Sequence, residues 1–279
     1  MMYITLDFIG ISEILIETND PNLINVVKLI YPYCYVNTDA QESNGSIINV
    51  YKYHEFYRAN YKQFSYENLS QNSLLYFLYE VFQVILEEVM LLKSINVLHG
   101  ACVVHNDNAF IFSAKTNTGK STLVFDLTSH DYQYLSDDYA ILCKDNLSLQ
   151  PLHLPIKLRS LEPICEKSKE NVIVRDYNPV RSENYYLLKP FSYCENKNYK
   201  IKALFLISRN QSTNKIEKLN SKESYKNLIL NAKIPEVNAL KRINTISLSL
   251  TKSIDVYDMQ YIDTASCRNM IDSVVAIYL

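Results

Sequence analysis

The amino-acid sequence predicts an α/β fold, in which a small N-terminal α+β domain over residues 1–94 precedes a larger α/β domain over residues 95–279. Two observations predict this division. A long apolar pattern with helical spacing covers residues 68–93 and ends at the expected boundary. Beyond it, an apolar run, a short polar loop and a helical run follow one another over residues 108–128, which is the order of elements typical of an α/β domain.

The N-terminal domain is predicted to contain several strands and two helices. Apolar and polar residues alternate over residues 3–17, as they do in a β-hairpin. A first helix is expected to follow Asp20 and Pro21, because this pair is typical of helix starts. Further strands are predicted over residues 46–53 and 57–64. The long second helix is too apolar for a free surface helix, so we expect it to pack on both sides.

The C-terminal domain is predicted to be rich in short strands. A strand-rich run over residues 96–105, a turn at residues 106–108 and a buried strand over residues 108–113 are predicted to form a hairpin that leads into the following loop. Residues 160–200 are expected to be largely irregular because they are polar. Further strands are predicted over residues 132–136, 139–143, 153–158, 185–189, 201–208, 215–219 and 254–261. Helices are predicted over residues 121–128, 221–232, 236–248 and 264–277.

The composition excludes several classes of protein. Hydrophobic residues make up 48% of the chain and charged residues 21%, as in ordinary globular proteins, and the net charge of −2 favours no nucleic-acid partner. No apolar run has the length of a bilayer span, and the first residues do not resemble a signal sequence. We therefore expect a cytoplasmic protein without a membrane partner. The six cysteines form no closely spaced pair, so we expect buried thiols.

Residues 114–121 read Ala-Lys-Thr-Asn-Thr-Gly-Lys-Ser, which matches a phosphate-binding P-loop except that alanine replaces the first glycine. In such a loop backbone N–H groups surround the phosphates, Lys120 reaches the β- and γ-phosphate oxygens, and the Ser121 hydroxyl binds Mg²⁺. Alanine resists positive φ, so we expect a first turn whose φ alanine tolerates. The predicted nucleotide-binding residues are Ala114, Lys115, Thr116, Asn117, Thr118, Gly119, Lys120, Ser121 and Thr122.

Two neighbouring aspartates, Asp137 and Asp138, follow the predicted strand over residues 132–136. A P-loop protein needs a carboxylate for its Mg²⁺ at such a strand end. Neighbouring side chains on a strand point to opposite faces, so one carboxylate can reach the metal while the other faces an acceptor. An exposed turn is the alternative, because Ser-Asp-Asp is also common in loops.

A histidine, His99, lies on the strand before the P-loop strand, where a packed core histidine is more common than a catalytic one. However, the succession of His99, a P-loop that ends at Ser121, and the pair Asp137 and Asp138 resembles the core of the bacterial HPr kinase/phosphorylase family, at separations typical of that family. The resemblance covers residues 96–142 and continues more loosely to residue 279.

The resemblance implies a compact P-loop kinase domain of the kind that HPr kinase shares with phosphoenolpyruvate carboxykinase. It implies that ATP, or another nucleoside triphosphate, and Mg²⁺ are the cofactors. By the same resemblance Asp137 is the catalytic base, Asp138 and Ser121 are metal ligands, His99 is an active-site histidine, and Lys120 is a further catalytic residue. Such a site transfers a γ-phosphoryl group mainly by positioning and charge neutralisation.

The sequence also departs from that family. Thr122 stands where HPr kinases have glutamate, and no glycine follows Gly119, so the glycine- and arginine-rich loop of the family is missing. Residues 152–159 are instead similar to a segment of HPr-kinase-like proteins from modified-peptide pathways, including lasso-peptide kinases. Lys157 and Arg159 share one face of a strand there, so they are either contacts for phosphate or an acidic acceptor, or solvated surface charges.

These observations predict a kinase whose acceptor is a serine or similar hydroxyl on a ribosomally made precursor peptide. A kinase of a small-molecule hydroxyl, such as an amino acid or a sugar, is the enzymatic alternative, and a non-catalytic nucleotide-binding regulatory protein is the other. The expected partner is therefore a peptide or a small molecule, and a homo-oligomer is compatible with the pattern. A second carboxylate beside the metal aspartate favours the enzyme, since a pure sensor does not need one.

Overall fold

The computed structural model describes residues 1–8, 11–36, 46–54, 56–67, 74–115, 117–143, 147–162, 166–178, 183–231 and 237–278. The strands, in chain order, are β1 (Met2–Phe8), β2 (Ser12–Thr18), β3 (Tyr35–Val36), β4 (Ser46–Tyr53), β5 (Phe56–Tyr61), β6 (Phe64–Glu67), β7 (Asn96–His99), β8 (Ala101–His105), β9 (Asn108–Ser113), β10 (Gln133–Ser136), β11 (Tyr139–Leu142), β12 (Ser148–Gln150), β13 (Ile156–Leu158), β14 (Val172–Asn178), β15 (Glu183–Leu188), β16 (Tyr199–Arg209), β17 (Lys215–Lys218) and β18 (Asp255–Tyr261). The α-helices are α1 (Asn22–Ile30), α2 (Leu74–Leu92), α3 (Lys120–Thr128), α4 (Ser221–Asn231), α5 (Val237–Ser253) and α6 (Thr264–Val275). The predicted mixed α/β class is confirmed.

The chain divides into two compact units. The first comprises Met1–Ile95, His153–Ser160 and Val172–Lys189, and the second comprises Asn96–Leu152, Leu161–Asn171 and Pro190–Leu279. The sequence analysis assigned every residue from 95 onward to the second domain, whereas two later segments belong to the first unit. The reason is their pairing, because β13, β15 and β14 form one small antiparallel sheet and α2 packs against β14.

The first unit also contains a six-stranded sheet in the order β3-β1-β2-β4-β5-β6. β2 and β4 are parallel and the other pairs are antiparallel. The apolar face of α2 is buried, as its pattern predicts, and α1 packs against α2. Edge-to-face ring contacts from Tyr31 to Phe8 at 5.9 Å and to Phe82 at 5.3 Å connect the sheet to this helix. Residues 68–73 of the predicted long helix lie outside the described residues.

The strands that were not predicted include β3, β6, β12 and β14. β14 lies in the polar stretch over residues 160–200 that was expected to be irregular, and β12 is a strand of three residues. β14 begins with β-branched residues and continues with charged and polar ones, and its pairing with β15 makes it a strand. The strand predicted over 153–158 is shorter than expected, since only Ile156–Leu158 pair with β15.

The second unit contains a sheet in the order β10-β8-β9-β16-β12-β11-β7, and β18 and β17 extend it from β16. β9, β16 and β18 run parallel, whereas the remaining pairs are antiparallel. α3 packs on β8, β10 and α6. The carboxyl ends of the three parallel strands therefore meet at one edge of the sheet, which is where open α/β sheets place ligands.

The described cysteines, Cys34, Cys102, Cys143, Cys194 and Cys267, are free thiols, and Cys165 lies outside the described residues. Among the helices of the described ranges, none has both the length and the apolar character that a membrane crossing requires.

Candidate active site

The predicted P-loop, residues 114–121, connects β9 to α3 at the edge where the parallel strands end. Asn117 has a φ of 69° and Gly119 a φ of 99°, so the chain turns sharply twice before α3 begins at Lys120. A side chain at Gly119 is unfavourable on both counts: its φ is left-handed, and a Cβ there would lie 2.8 Å from Tyr261 Oη. α3 has no side-chain cap, so its first N–H groups face the loop side, as anion-binding helix starts require.

The amine of Lys120 folds back over the loop. Lys120 is buried, and its Nζ donates a hydrogen bond to Ala114 O at 3.0 Å and lies 3.5 Å from Lys115 O. Ala114 is buried and has no positive φ, in agreement with the expectation for alanine in place of glycine. Thr118 Oγ1 donates to the same Lys115 carbonyl. Thr116, which the motif includes, lies outside the described residues.

Asp137 follows β10 and is only 5% exposed. Its carboxylate accepts hydrogen bonds from the Ser121 hydroxyl and, at 3.0 Å, from Asp138 N. Burial and then the negative charge of Asp138 raise the pKa of Asp137 to about 7, although the Ser121 hydrogen bond and the charge of Lys120 oppose the rise. The structure thus joins the two ends of the predicted constellation, the P-loop and the aspartate pair.

Asp138 adopts a φ of 64° and its side chain is 44% exposed, so it differs from the buried Asp137. His99 pairs with Tyr139 in the β7–β11 ladder, which places its ring beside the aspartates. His99 Nδ1 donates to Asp138 O at 3.1 Å and lies 3.8 Å from Asp138 Oδ1. Gly100 N also donates to Asp138 O, at 3.3 Å. These contacts hold the strained Asp138 backbone in place.

The donor set fits a nucleotide with Mg²⁺. A magnesium ion in such a site takes one or two protein oxygens and completes its shell with phosphates and water, so it needs no cluster of three protein ligands. No such cluster of His, Cys, Asp or Glu occurs among the described residues. The hydroxyl of Ser121 and the carboxylate of Asp137 are hydrogen-bonded, and the carboxylate of Asp138 follows directly in the chain. These are the oxygen ligands that Mg²⁺ prefers.

Two residues beside the loop were missed by the sequence analysis, Arg209 and Tyr261. Tyr261 Oη donates to Thr118 O at 2.6 Å, and Arg209 Cζ lies 6.0 Å from the centre of the Tyr261 ring. Arg209 and Tyr261 are the last residues of β16 and β18, which are parallel strands. Their positions in the sequence were the signal that could have found them: Arg209 directly follows the strand predicted over 201–208, and Tyr261 ends the strand predicted over 254–261.

Two other predicted candidates, Lys157 and Arg159, belong to the first unit, whereas the P-loop belongs to the second. Lys157 Nζ lies 2.5 Å from Glu80 Oε1 and within 6 Å of the ring centres of Tyr79 and Tyr185. These contacts lie within the first unit. Arg159 is exposed.

The chain matches no protein-family model and no curated protein. Among solved structures it is similar to the Hpr(Ser) kinase/phosphatase from Coxiella burnetii, with 11% sequence identity and a TM-score of 0.28. The match covers 64% of this chain and 97% of that one. A function for the chain therefore has to follow from the geometry of its own site.

Proposed function

We propose that the protein is a kinase that uses ATP, or another nucleoside triphosphate, and Mg²⁺ to phosphorylate a serine or similar hydroxyl. One observation carries the proposal. The carboxylate of Asp137 is buried beside the P-loop and is hydrogen-bonded to Ser121, and the charge of Lys120 acts to lower its pKa. A P-loop alone binds phosphate, but a pair of aspartates beside it, of which Asp137 is buried, supplies the additional carboxylate that phosphoryl transfer requires.

In this proposal the loop residues bind the nucleotide phosphates, and the acidic residues bind the metal and accept the hydroxyl proton. Backbone N–H groups at the start of α3 and the amine of Lys120 bind the phosphate chain. Mg²⁺, when bound with the nucleotide, would supply charge neutralisation at the phosphates. Asp137 accepts the proton of the acceptor hydroxyl, and its raised pKa of about 7 suits a base that works near neutral pH. Asp138 and Ser121 would hold the metal, and His99 positions Asp138 by donating a hydrogen bond from Nδ1 to the Asp138 backbone oxygen.

A second division of roles is favoured by one contact. The hydrogen bond between Ser121 and Asp137 is the arrangement in which a P-loop hydroxyl and a strand-end aspartate hold Mg²⁺ together. The base would then be Asp138, which is more exposed and lies beside His99. The two divisions predict opposite results for Asp137→Asn and Asp138→Asn in a titration with Mg²⁺, because only the variant at the metal position raises the Mg²⁺ requirement.

For the acceptor we propose a serine on a ribosomally made precursor peptide, and for the location the cytoplasm, where nucleoside triphosphates are supplied. The resemblance of residues 152–159 to a segment of peptide kinases supports this choice. A free amino acid or a sugar is the alternative acceptor. The genes beside this one separate the two, since a short peptide gene supports the first and a sugar or amino-acid operon supports the second.

The test is transfer of label from γ-labelled ATP. Wild-type protein with Mg²⁺ is incubated with a library of serine-containing peptides, with free amino acids and with sugars, and the labelled product is identified by mass spectrometry. A labelled phosphoserine peptide supports the proposal, and a labelled small molecule replaces the peptide by the alternative acceptor. Tight binding of ATP without transfer to any acceptor supports the non-catalytic regulatory protein.

A further inference from the structure

Two strand ends bring an arginine and a tyrosine to the P-loop. β16 and β18 are parallel and in register, so that Arg209 pairs with Tyr261 at their carboxyl ends. β16 also runs parallel to β9, which leads directly into the loop. The side chains at these three strand ends therefore converge on one edge of the sheet.

The contact with the loop is close because residue 119 is a glycine. A Cβ on Gly119 would lie 2.8 Å from Tyr261 Oη and 3.4 Å from both Nε and Nη2 of Arg209. Gly119 precedes Lys120, the first residue of α3, whose N–H groups are the anion-binding end of the helix. The guanidinium thus lies against the part of the loop that surrounds phosphate in a P-loop.

A relay of hydrogen bonds fixes the arginine there. Arg209 donates to Tyr261 Oη, and Tyr261 Oη donates in turn to Thr118 O at 2.6 Å. Tyr261 is 1% exposed, so the relay is anchored in the core, whereas Arg209 itself is exposed at the loop. Tyr261 therefore contacts both the loop, at Thr118, and the guanidinium of Arg209, so that it can position both.

The charge of Arg209 is available to an anion. Across the described ranges, no carboxylate forms an ion pair with this arginine, and the hydrogen bond to Tyr261 uses only one of its five donors. Arg268, by contrast, is paired with Asp126 at 2.6 Å. A guanidinium with open donors beside a phosphate-binding loop matches phosphate oxygens in geometry and charge.

We propose that Arg209 is a phosphate-binding residue whose guanidinium contacts the polyphosphate of the nucleotide in the P-loop, and that Tyr261 positions it. This inference rests on the proposed function for the nucleotide, but it does not depend on the acceptor or on phosphoryl transfer. Arg209 adds a second positive side chain to that of Lys120. Its role is to neutralise the charge of the phosphate chain.

The experiment measures binding of ATP with Mg²⁺ by isothermal titration calorimetry. The variants are Arg209→Gln, Arg209→Lys and, as the matched control, Lys200→Gln, which removes an exposed positive charge near the other end of the same strand. We expect Arg209→Gln to raise the Kd about 10- to 100-fold, the usual value of hydrogen bonds to a charged group. Arg209→Lys should recover part of the loss, and the control should bind as wild type.

Two further readouts separate phosphate contact from a merely structural role. The Kd of wild type should rise more steeply with salt than that of Arg209→Gln, because one fewer ionic contact remains in the variant. The melting temperature of the nucleotide-free protein should be the same in both. Equal salt dependence with a lowered melting temperature would overturn the phosphate contact.

Tyr261→Phe tests the positioning role, since it removes only the hydroxyl. In a double-mutant cycle the effects of Tyr261→Phe and Arg209→Gln on the Kd should be strongly non-additive, because both act through one contact. Additive effects would overturn that role.

The outcomes distinguish this inference from the proposed function. Wild type that binds Mg-ATP while Arg209→Gln binds equally well refutes the inference alone. Wild type that binds ATP in an Arg209-dependent way but transfers no phosphate refutes the kinase and leaves the inference standing. Wild type that binds no nucleotide refutes both.

Discussion

The carboxylate of Asp137 accepts a hydrogen bond from the hydroxyl of Ser121, so the end of β10 and the start of α3 are joined inside the candidate site. The positive charge of Lys120 also acts on Asp137, in the direction that lowers the pKa of its carboxyl. A P-loop serine, a P-loop lysine and a strand-end carboxylate thus meet at one point, as phosphoryl transfer requires.

Replacing the loop lysine should remove the function of the loop. We expect Lys120→Ala to weaken binding of Mg-ATP at least about 10-fold and to abolish phosphoryl transfer, since the charge that holds the β- and γ-phosphates is lost. Isothermal titration with ATP checks the first effect, and Lys200→Ala is the control for loss of a positive charge from the same unit. Unchanged affinity in Lys120→Ala would contradict a phosphate-binding role for this loop.

Restoring the usual glycine at the first loop position should be tolerated. Ala114 has no positive φ, so glycine can adopt its conformation without change. We expect Ala114→Gly to bind Mg-ATP as wild type and to lose about 1 kcal/mol of unfolding free energy, from the greater freedom of the unfolded chain and the loss of a buried methyl group. Urea denaturation and titration measure the two quantities. Loss of binding would assign a specific contact to the methyl group.

The position of Gly119 in the loop should not tolerate a side chain. At Gly119, alanine would combine a φ of 99° with a Cβ 2.8 Å from Tyr261 Oη. We expect Gly119→Ala to lower the unfolding free energy by about 1–2 kcal/mol and to weaken nucleotide binding. Adding Tyr261→Phe should restore part of the stability, because the clashing oxygen is removed while the backbone strain stays. If the single variant melts like wild type, the close packing at this position is wrong.

Stability without nucleotide should depend on pH through Asp137. Burial and the neighbouring Asp138 raise the pKa of Asp137 to about 7 from its ordinary value of 3.8. Folding therefore favours the protonated carboxyl, and this contribution is complete below about pH 4 and is lost as the pH rises through about 7. We expect the unfolding free energy of wild type, relative to Asp137→Asn, to fall by more than about 1 kcal/mol between about pH 4 and pH 8. A difference that stays constant over this range would contradict the burial of the charge.

Local sequence predicts the P-loop and its neighbours well. The strand predicted over 108–113 has the bounds of β9, and the helix predicted over 121–128 is α3 without its first residue, because both depend on contiguous residues. The grouping of Ser121, His99 and the two aspartates was expected from the family resemblance and not from local sequence. It depends on the pairing of β8 with β9 and β10 and on the pairing of β7 with β11.

Pairing between distant segments could not be predicted. Arg209 and Tyr261 reach the loop because β16 lies parallel to both β9 and β18, and nothing within either strand specifies those neighbours. Lys157 was predicted to be either a phosphate or acceptor contact or a solvated surface charge, and its ion pair with Glu80 on α2 was not predicted, because it joins distant segments of the first unit. β14 was missed because its second half is polar and only its pairing with β15 makes it a strand.

The central claim is that the aspartate beside the P-loop takes part in phosphoryl transfer, and single-turnover transfer from γ-labelled ATP with wild type, Asp137→Asn and Asp138→Asn tests it most directly. We expect Asp137→Asn to bind Mg-ATP nearly as wild type but to transfer about 10²- to 10⁴-fold more slowly, as loss of a general base predicts. Asp138→Asn should instead require more Mg²⁺, and the reverse pattern would exchange the two roles. Transfer at the wild-type rate by both variants would contradict the kinase mechanism.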